Sequence, residues 1–336
     1  MEKTKVGVVG LGGMAQLVHL PILSKFENVE LKAVCEINRS RLKTVAEKFT
    51  SANQYVDYKE MLDKEELDAV IIATPTNTHL NLAIDCLQAK KDILIEKPIS
   101  LNYSEAKEIV SAAKKNKKQV MVGMNLRFRP DAMLLRSLIS SGELGELFYI
   151  KCGWLREQSS NQKWFLSKKL SGGGVLFDLG IVILDLALWM MGDEELESVA
   201  VQNFYQSNKE VEDSVVGIIR FKKGMVLNFE VSWDLYSEAN SFNLTAHGTN
   251  GTAYLNPLRL FKKIGTSHID YTPNKSIGTQ NLFRKSYENE LKHFIGSIRE
   301  GVKVISSGEE ALARMYLLEN IYKSAEQQKE VRVKNI

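Results

Sequence analysis

The chain has 336 residues, long enough that two hydrophobic cores are expected rather than one. Its 44% hydrophobic and 25% charged content is ordinary for a globular protein, and a net charge of +3, from 44 basic and 41 acidic side chains, gives no electrostatic case for nucleic acid or an anionic membrane. Cys35, Cys86 and Cys152 are widely spaced, form no disulfide framework, and fit a reducing, cytoplasmic location.

From the start, Lys5–Val9 reads as a strand with no apolar leader before it. Further apolar runs near 29–35, 69–73, 92–95 and 119–122 suit buried parallel strands. Helical spacing fills the gaps at Met14–Lys25, Ser40–Phe49, Thr78–Gln88 and Ser104–Lys115, the last opened by a capping box, Asn102 to Glu105. This alternation predicts an α/β doubly wound, mostly parallel sheet. After about residue 125 the pattern changes. Longer alternating strands are expected at Val199–Tyr205, Val215–Phe221, Met225–Trp233, Phe242–His247 and Thr252–Leu255, with hairpin turns at Lys222–Gly224 and Gly248–Gly251. Helices at Asp131–Ser140, Leu176–Met190, Tyr287–Arg299 and Ser307–Gln327 would flank a large open, mostly antiparallel sheet. Domains of 1–125 and 126–336 follow, with Asn274–Asn281 as a flexible loop. No apolar run is expected to span a membrane, since even Val175–Met191 is interrupted by Asp178 and Asp185.

Directly after the first strand comes Gly10-Leu11-Gly12-Gly13-Met14-Ala15, a G-x-G-x-x-A pattern. Gly10 permits a tight turn, Gly12 lets backbone approach a pyrophosphate, and the small Ala15 lets helix and strand pack closely. Glu36 ends the second strand, where a carboxylate accepts hydrogen bonds from an adenosine ribose and repels a 2′-phosphate. NAD(H) is therefore favoured over NADP(H), although Arg39 and Arg41 soften the preference. The plain structural alternative for Glu36 is a solvated acid at a strand end.

Hydride transfer from an alcohol carbon leaves a hydroxyl proton to be accepted, and its reverse needs a polarised carbonyl. Lys97, in Glu96-Lys97-Pro98 at the end of the Ile93–Ile95 run, is placed for either task, because ligands bind outside the carboxyl ends of parallel strands. A lysine so placed polarises the oxygen as a cation, or serves as a base once burial or nearby positive charge favours its neutral form. A surface lysine after a strand is the plainer reading. Asp178, after Gly172-Gly173-Gly174, supplies a carboxylate at what reads as a helix start, where capping is an equally ordinary task.

With these residues in view, the chain resembles the Gfo/Idh/MocA family, the glucose–fructose oxidoreductase and inositol dehydrogenase group, from Lys5 to Val333. The carrying segments are VGVVGLGGMAQLVHLPIL, IIATPTNTHLNLAIDCL, ILIEKPIS, GMNLRFRP, GGGVLFDLGIVILDLALWMMG and MYLLENIYKSAEQ. The resemblance implies an N-terminal Rossmann domain, a C-terminal α+β domain, and NAD(P)-dependent hydride exchange with a sugar, polyol or related hydroxylated molecule. It implies that Lys97 touches both nicotinamide ribose and substrate, and that Thr74, Pro75, Asn77, His79 and Glu96 lie along the cofactor. Asn125, Arg127, Trp164, Asp178 and position 182 fall on the substrate side. Family sheets often pack face to face, so a homodimer or homotetramer is expected.

The family pattern carries a histidine four residues after Asp178; here that position is Val182, which can neither accept nor donate a proton. Asp185, seven residues on, is a candidate substitute but also fits a scaffold position. His79 is read as a cofactor-loop residue with proton transfer as a further role, and His19 as helix packing or capping. Trp154, Trp233 and Tyr236 are candidates for lining a sugar pocket or for sheet packing. No cluster has metal-ligand spacing. The rival reading is a catalytically impaired dinucleotide- or sugar-binding regulatory protein on the same fold.

Overall fold

The computed structural model describes residues 2–156, 163–192, 194–233, 240–273 and 281–334. Tyr236 and all but the last residue of the expected loop at 274–281 lie outside these. By its contacts the chain forms two units: Met1–Asn125 with Ser286–Met315, and Leu126–Lys285 with Tyr316–Ile336. The break at 125 was legible. The return of 286–315 to the first unit was not, and the boundary 126–336 is corrected accordingly.

The first unit is built on six parallel strands, β1 (Thr4–Val9), β2 (Val29–Cys35), β3 (Asn53–Tyr55), β4 (Ala69–Ile72), β5 (Asp92–Glu96) and β6 (Val120–Gly123), in the order 3-2-1-4-5-6. β4 and β6 are buried at every residue, as expected for strands covered on both faces. The strand order reverses between β1 and β4, so the loops leaving those strands flank the crevice where such sheets bind ligands. The helix Tyr103–Asn116 starts as its capping box predicts: Asn102 accepts from Glu105 N–H at 3.0 Å, while the Glu105 carboxylate accepts from Leu101 N–H.

The returning segment joins β6 for a definite reason. β6 is an edge strand, and its unpaired backbone groups are taken up by residues 302–307: Val122 N–H donates to Ser306 O, Ser306 Oγ donates to Val122 O, and Met121 pairs with Ser307. Just before β6, Gln119 bonds both Val302 O and Val304 N–H through its side chain.

Among the described residues the second unit holds nine strands: β7 (Leu147–Leu155), β8 (Leu196–Phe204), β9 (Ser214–Phe221), β10 (Val226–Ser232), β11 (Ser241–Gly248), β12 (Gly251–Leu255), β13 (Arg259–Ile264), β14 (Ser267–Asp270) and β15 (Val331–Arg332). Their order is 14-13-12-11-7-10-9-8-15, antiparallel except where β10 runs beside β7. Burial alternates along β9 and β11, so one face is packed and the other open. The helix Ile181–Met191 packs against β7. The stretch Lys168–Met191 does have the length and apolarity of a membrane span, contrary to the sequence reading, but 94% of its most apolar window is buried inside the protein. Its apolarity is that of a core helix.

Candidate active site

Gly10 follows β1 with φ +89°, a left-handed conformation that glycine adopts without strain. A Cβ there would lie 2.6 Å from Ala73 O, so the loops after β1 and β4 touch backbone to backbone. Gly12 and Gly13 are the opposite case. A Cβ on either would meet nothing within 4 Å, which leaves a bare backbone edge open to a ligand. Ala15 is fully buried, as close helix packing requires. Met14 precedes a π-turn, Ala15–His19, where a regular α-helix was expected. Pro21, two positions into the next helical turn, has no N–H to continue an α ladder.

Glu36 is buried at the end of β2. Its carboxylate accepts from Leu11 N–H (3.0 Å), Asn38 N–H (2.9 Å) and Arg41 Nη1 (3.1 Å), so three of its roughly four acceptor positions are used within the protein. The solvated-acid alternative is thereby removed. An open glycine edge beside a buried carboxylate fits the pyrophosphate and ribose of an adenine dinucleotide.

Lys97 is half-buried at the carboxyl end of β5 and precedes a cis Pro98. Two histidines brace this motif. His19, fully buried, places Nε2 2.7 Å from Glu96 Oε1, tying the glycine-loop helix to β5. Burial works against the Glu96 charge, but the His19 hydrogen bond and the charge of Lys97 outweigh it and hold the carboxyl below its usual range. His79 has Nδ1 2.9 Å from Pro98 O and Nε2 2.9 Å from Thr74 O. Those carbonyls favour the protonated ring, while burial is the larger effect and pushes its pKa down; the ring ties the two loops together. These two contacts give the His79 ring a bracing task between the loops. Thr74 and Thr78 share a 2.7 Å hydroxyl bond, and Pro75 and Asn77 are exposed.

Sequence reading missed Glu290 altogether. It is fully buried in the helix Leu282–Glu300, and neither carboxyl oxygen has a hydrogen-bond partner among the described residues. Burial, and then the charge of Glu96, push its pKa well above the carboxylate range. The signal was present: Glu290 shares an apolar face with Tyr287, Leu291 and Phe294.

In the second unit, Asp178 is 4% exposed and its Oδ2 accepts from Trp233 Nε1 at 3.1 Å. Trp164 packs edge-on against Phe165, which in turn packs on Trp233, so three aromatic rings lead to the carboxylate. Trp154 instead pairs across strands with Phe242, a sheet-packing role. Asp178 lies in a π-turn, Leu176–Gly180, and Val182 in the α-helix that follows, itself 4% exposed. Such turns are often found at functional sites.

Two residues expected on the substrate side make buried polar contacts within the protein. Arg127 is 1% exposed and grips Asp185 through two parallel bonds, Nε to Oδ2 at 2.7 Å and Nη2 to Oδ1 at 2.5 Å. This fork commits Asp185 to the scaffold and leaves it unsuited to replace the missing acid–base group. Asn125, also buried, donates to Ser286 Oγ at 3.0 Å. Among the described residues no group of three or more metal-ligating side chains converges.

Comparison with known proteins agrees with this geometry. Residues 4–124 match the model of an oxidoreductase family's NAD-binding Rossmann fold, and residues 136–333 match that family's C-terminal alpha/beta domain. The chain is 27% identical to D-glucoside 3-dehydrogenase of Escherichia coli, over 96% of this chain and 95% of the relative. It is 26% identical to myo-inositol 2-dehydrogenase of Thermotoga maritima, over 99% of each. Levoglucosan dehydrogenase, solved in complex with NADH and L-sorbose, superposes with a TM-score of 0.90 at 23% identity, over 100% of both chains, a likeness of fold. The glycine loop, the E-K-P lysine and both family matches make the chain a member of the Gfo/Idh/MocA family of NAD-dependent oxidoreductases.

Proposed function

We propose that this protein is an NAD(P)-dependent dehydrogenase acting on a hydroxyl of a sugar, polyol or related small molecule. The observation that carries the reading is the presentation of Lys97. It sits at the carboxyl end of β5, in a motif braced through Glu96 by His19 and through Pro98 by His79. When bound, the nicotinamide supplies the hydride chemistry. Lys97 holds the reacting oxygen and polarises it as charge develops. Asp178 binds a substrate hydroxyl, and Trp164 lies on the substrate side. The relatives named for glucoside and inositol dehydrogenation support this substrate class.

Val182 bears on rate. Loss of a positioned general base typically forfeits about 10²–10⁴-fold, so a slow enzyme is expected unless water or a substrate group carries the proton. The same valine favours the second reading, a dinucleotide- or sugar-binding regulatory protein. The test is NADH formation by the wild type, Lys97→Ala and Val182→His with inositols, glucosides and levoglucosan. Lys97→Ala is expected to lose about 10²–10⁴-fold in kcat, and Val182→His to gain activity. A wild type that is thermally stabilised by NAD⁺ yet inert across the panel would replace the enzyme with the binder.

We also place the protein in the cytoplasm, because its three cysteines are free and buried. Val216 and Tyr254 are exposed on the open face of the nine-stranded sheet and support a homodimer or homotetramer through it. Light scattering that finds a monomer removes that assignment.

A further inference from the structure

We infer that the dipeptide Glu212–Asp213 positions Asp178, holding both the turn that carries it and the tryptophan that bonds it. The inference rests on the role proposed for Asp178. Glu212 is 1% exposed and precedes β9. Its Oε1 accepts from Gly174 N–H (3.0 Å), Leu176 N–H (3.1 Å) and Tyr322 Oη (2.8 Å). Its backbone carbonyl accepts from Val175 N–H at 2.9 Å. One residue therefore satisfies three consecutive amides at the opening of the helical segment, donors that have no partner within the helix itself. Two residues later the chain reaches Asp178.

The glycine triplet is shaped to this clamp. A Cβ on Gly173 would come 2.1 Å from Tyr322 Oη, and one on Gly174 would come 2.0 Å from Glu212 O. These glycines let the backbone close onto Glu212 and Tyr322. Asp213 secures the other side. Its carbonyl accepts from Trp233 N–H at 2.8 Å, and the Trp233 indole donates to Asp178 Oδ2 at 3.1 Å. Asp178 is thus fixed through its backbone by Glu212 and through its carboxylate by a tryptophan anchored on Asp213. Burial first, opposed by the three donors, pushes the Glu212 carboxyl above its usual range, while its charge adds to burial in raising the Tyr322 hydroxyl. A neutral glutamine retains the acceptor the clamp needs.

The chain has four tryptophans, at 154, 164, 189 and 233, so fluorotryptophan labelling gives four ¹⁹F signals, with Trp233 assigned by Trp233→Phe. The Asp178→Asn variant marks how far the Trp233 signal moves when its acceptor changes. Glu212→Ala is expected to move Trp233 comparably while leaving Trp154 and Trp189 in place, and Glu212→Gln to restore the wild-type position. Should Glu212→Ala not fold, Tyr322→Phe, which removes one of the three bonds, is expected to give a smaller selective shift. A Trp233 signal unmoved in the folded variants, a shift of all four signals together, or a glutamine that behaves as alanine each overturn the inference. Myo-inositol and levoglucosan serve as probe alcohols for kinetics. Loss of positioning is expected to lower kcat about 10²-fold with KM for NAD⁺ unchanged. If Asp178→Asn leaves turnover intact while Glu212→Ala still moves Trp233, the role of Asp178 fails and the clamp stands.

Discussion

Truncating Arg127 or Asp185 to alanine is expected to cost about 3–5 kcal/mol, read as a fall in urea midpoint at unchanged slope, because each leaves a buried charge without its partner. Replacing both at once by Met and Leu is expected to be nearly neutral. A single variant as stable as wild type would mean that the pair is solvated. Glu290 offers a pH-dependent counterpart. Its folded carboxyl holds its proton above the usual range, through burial and then the Glu96 charge, whereas the unfolded chain releases it near pH 4. Unfolding is therefore increasingly favoured as pH rises above about 4, until the folded carboxyl also ionises. Glu290→Gln removes this penalty, so its melting temperature is expected to match wild type at pH 4 and exceed it at pH 8. An equal difference at both pH values would count against it. At this scale the sequence marked Gly10, Gly12, Glu36 and Lys97 by residue type beside a strand end, and the structure shows the turn at Gly10, the open edge at Gly12 and the burial of Glu36. It did not name the partners of Arg127 and His79, because a motif position does not say which neighbour a side chain faces.

Among the elements, the loop after β1 is the most constrained. Gly10→Ala would force a φ of +89° on a residue with a Cβ and press it against Ala73 O. A cost of about 1–2 kcal/mol from the left-handed conformation alone is expected, with NAD⁺ no longer raising the melting temperature. Retained stabilisation by NAD⁺ would show that the loop tolerates the change. All the first-unit strands except β3 were legible, because buried parallel strands are short apolar runs. β7 was not: Leu147, Phe148, Tyr149 and Ile150 run consecutively, so apolar side chains fall on both faces and hide the period of two. β14 is exposed throughout, and its one apolar residue, Ile269, is too little to mark a strand. The two π-turns escaped for another reason. A widened turn is set by backbone hydrogen bonding, with Leu20 N–H reaching back to Ala15 O and Ile181 N–H to Leu176 O, and leaves no mark on side-chain spacing.

For the whole molecule, fold class and the break near 125 were readable because hydrophobic period and strand–helix alternation are local signals. The return of 286–315 was not, since what sends it back is pairing with β6 across more than 180 residues. A fragment ending at residue 125 would expose that edge. It is expected to self-associate in light scattering, whereas 1–125 joined by a short linker to 286–315 is expected to be monomeric and to bind NAD⁺. A monomeric, NAD⁺-binding 1–125 would contradict this. The covered edge also sets an order of events during synthesis. The first 125 residues emerge from the ribosome early, at about 5–20 residues per second, yet their sheet stays unfinished until residue 307 has been made. The nascent chain must keep an open β-edge from finding the wrong partner while the whole of the intervening domain is translated.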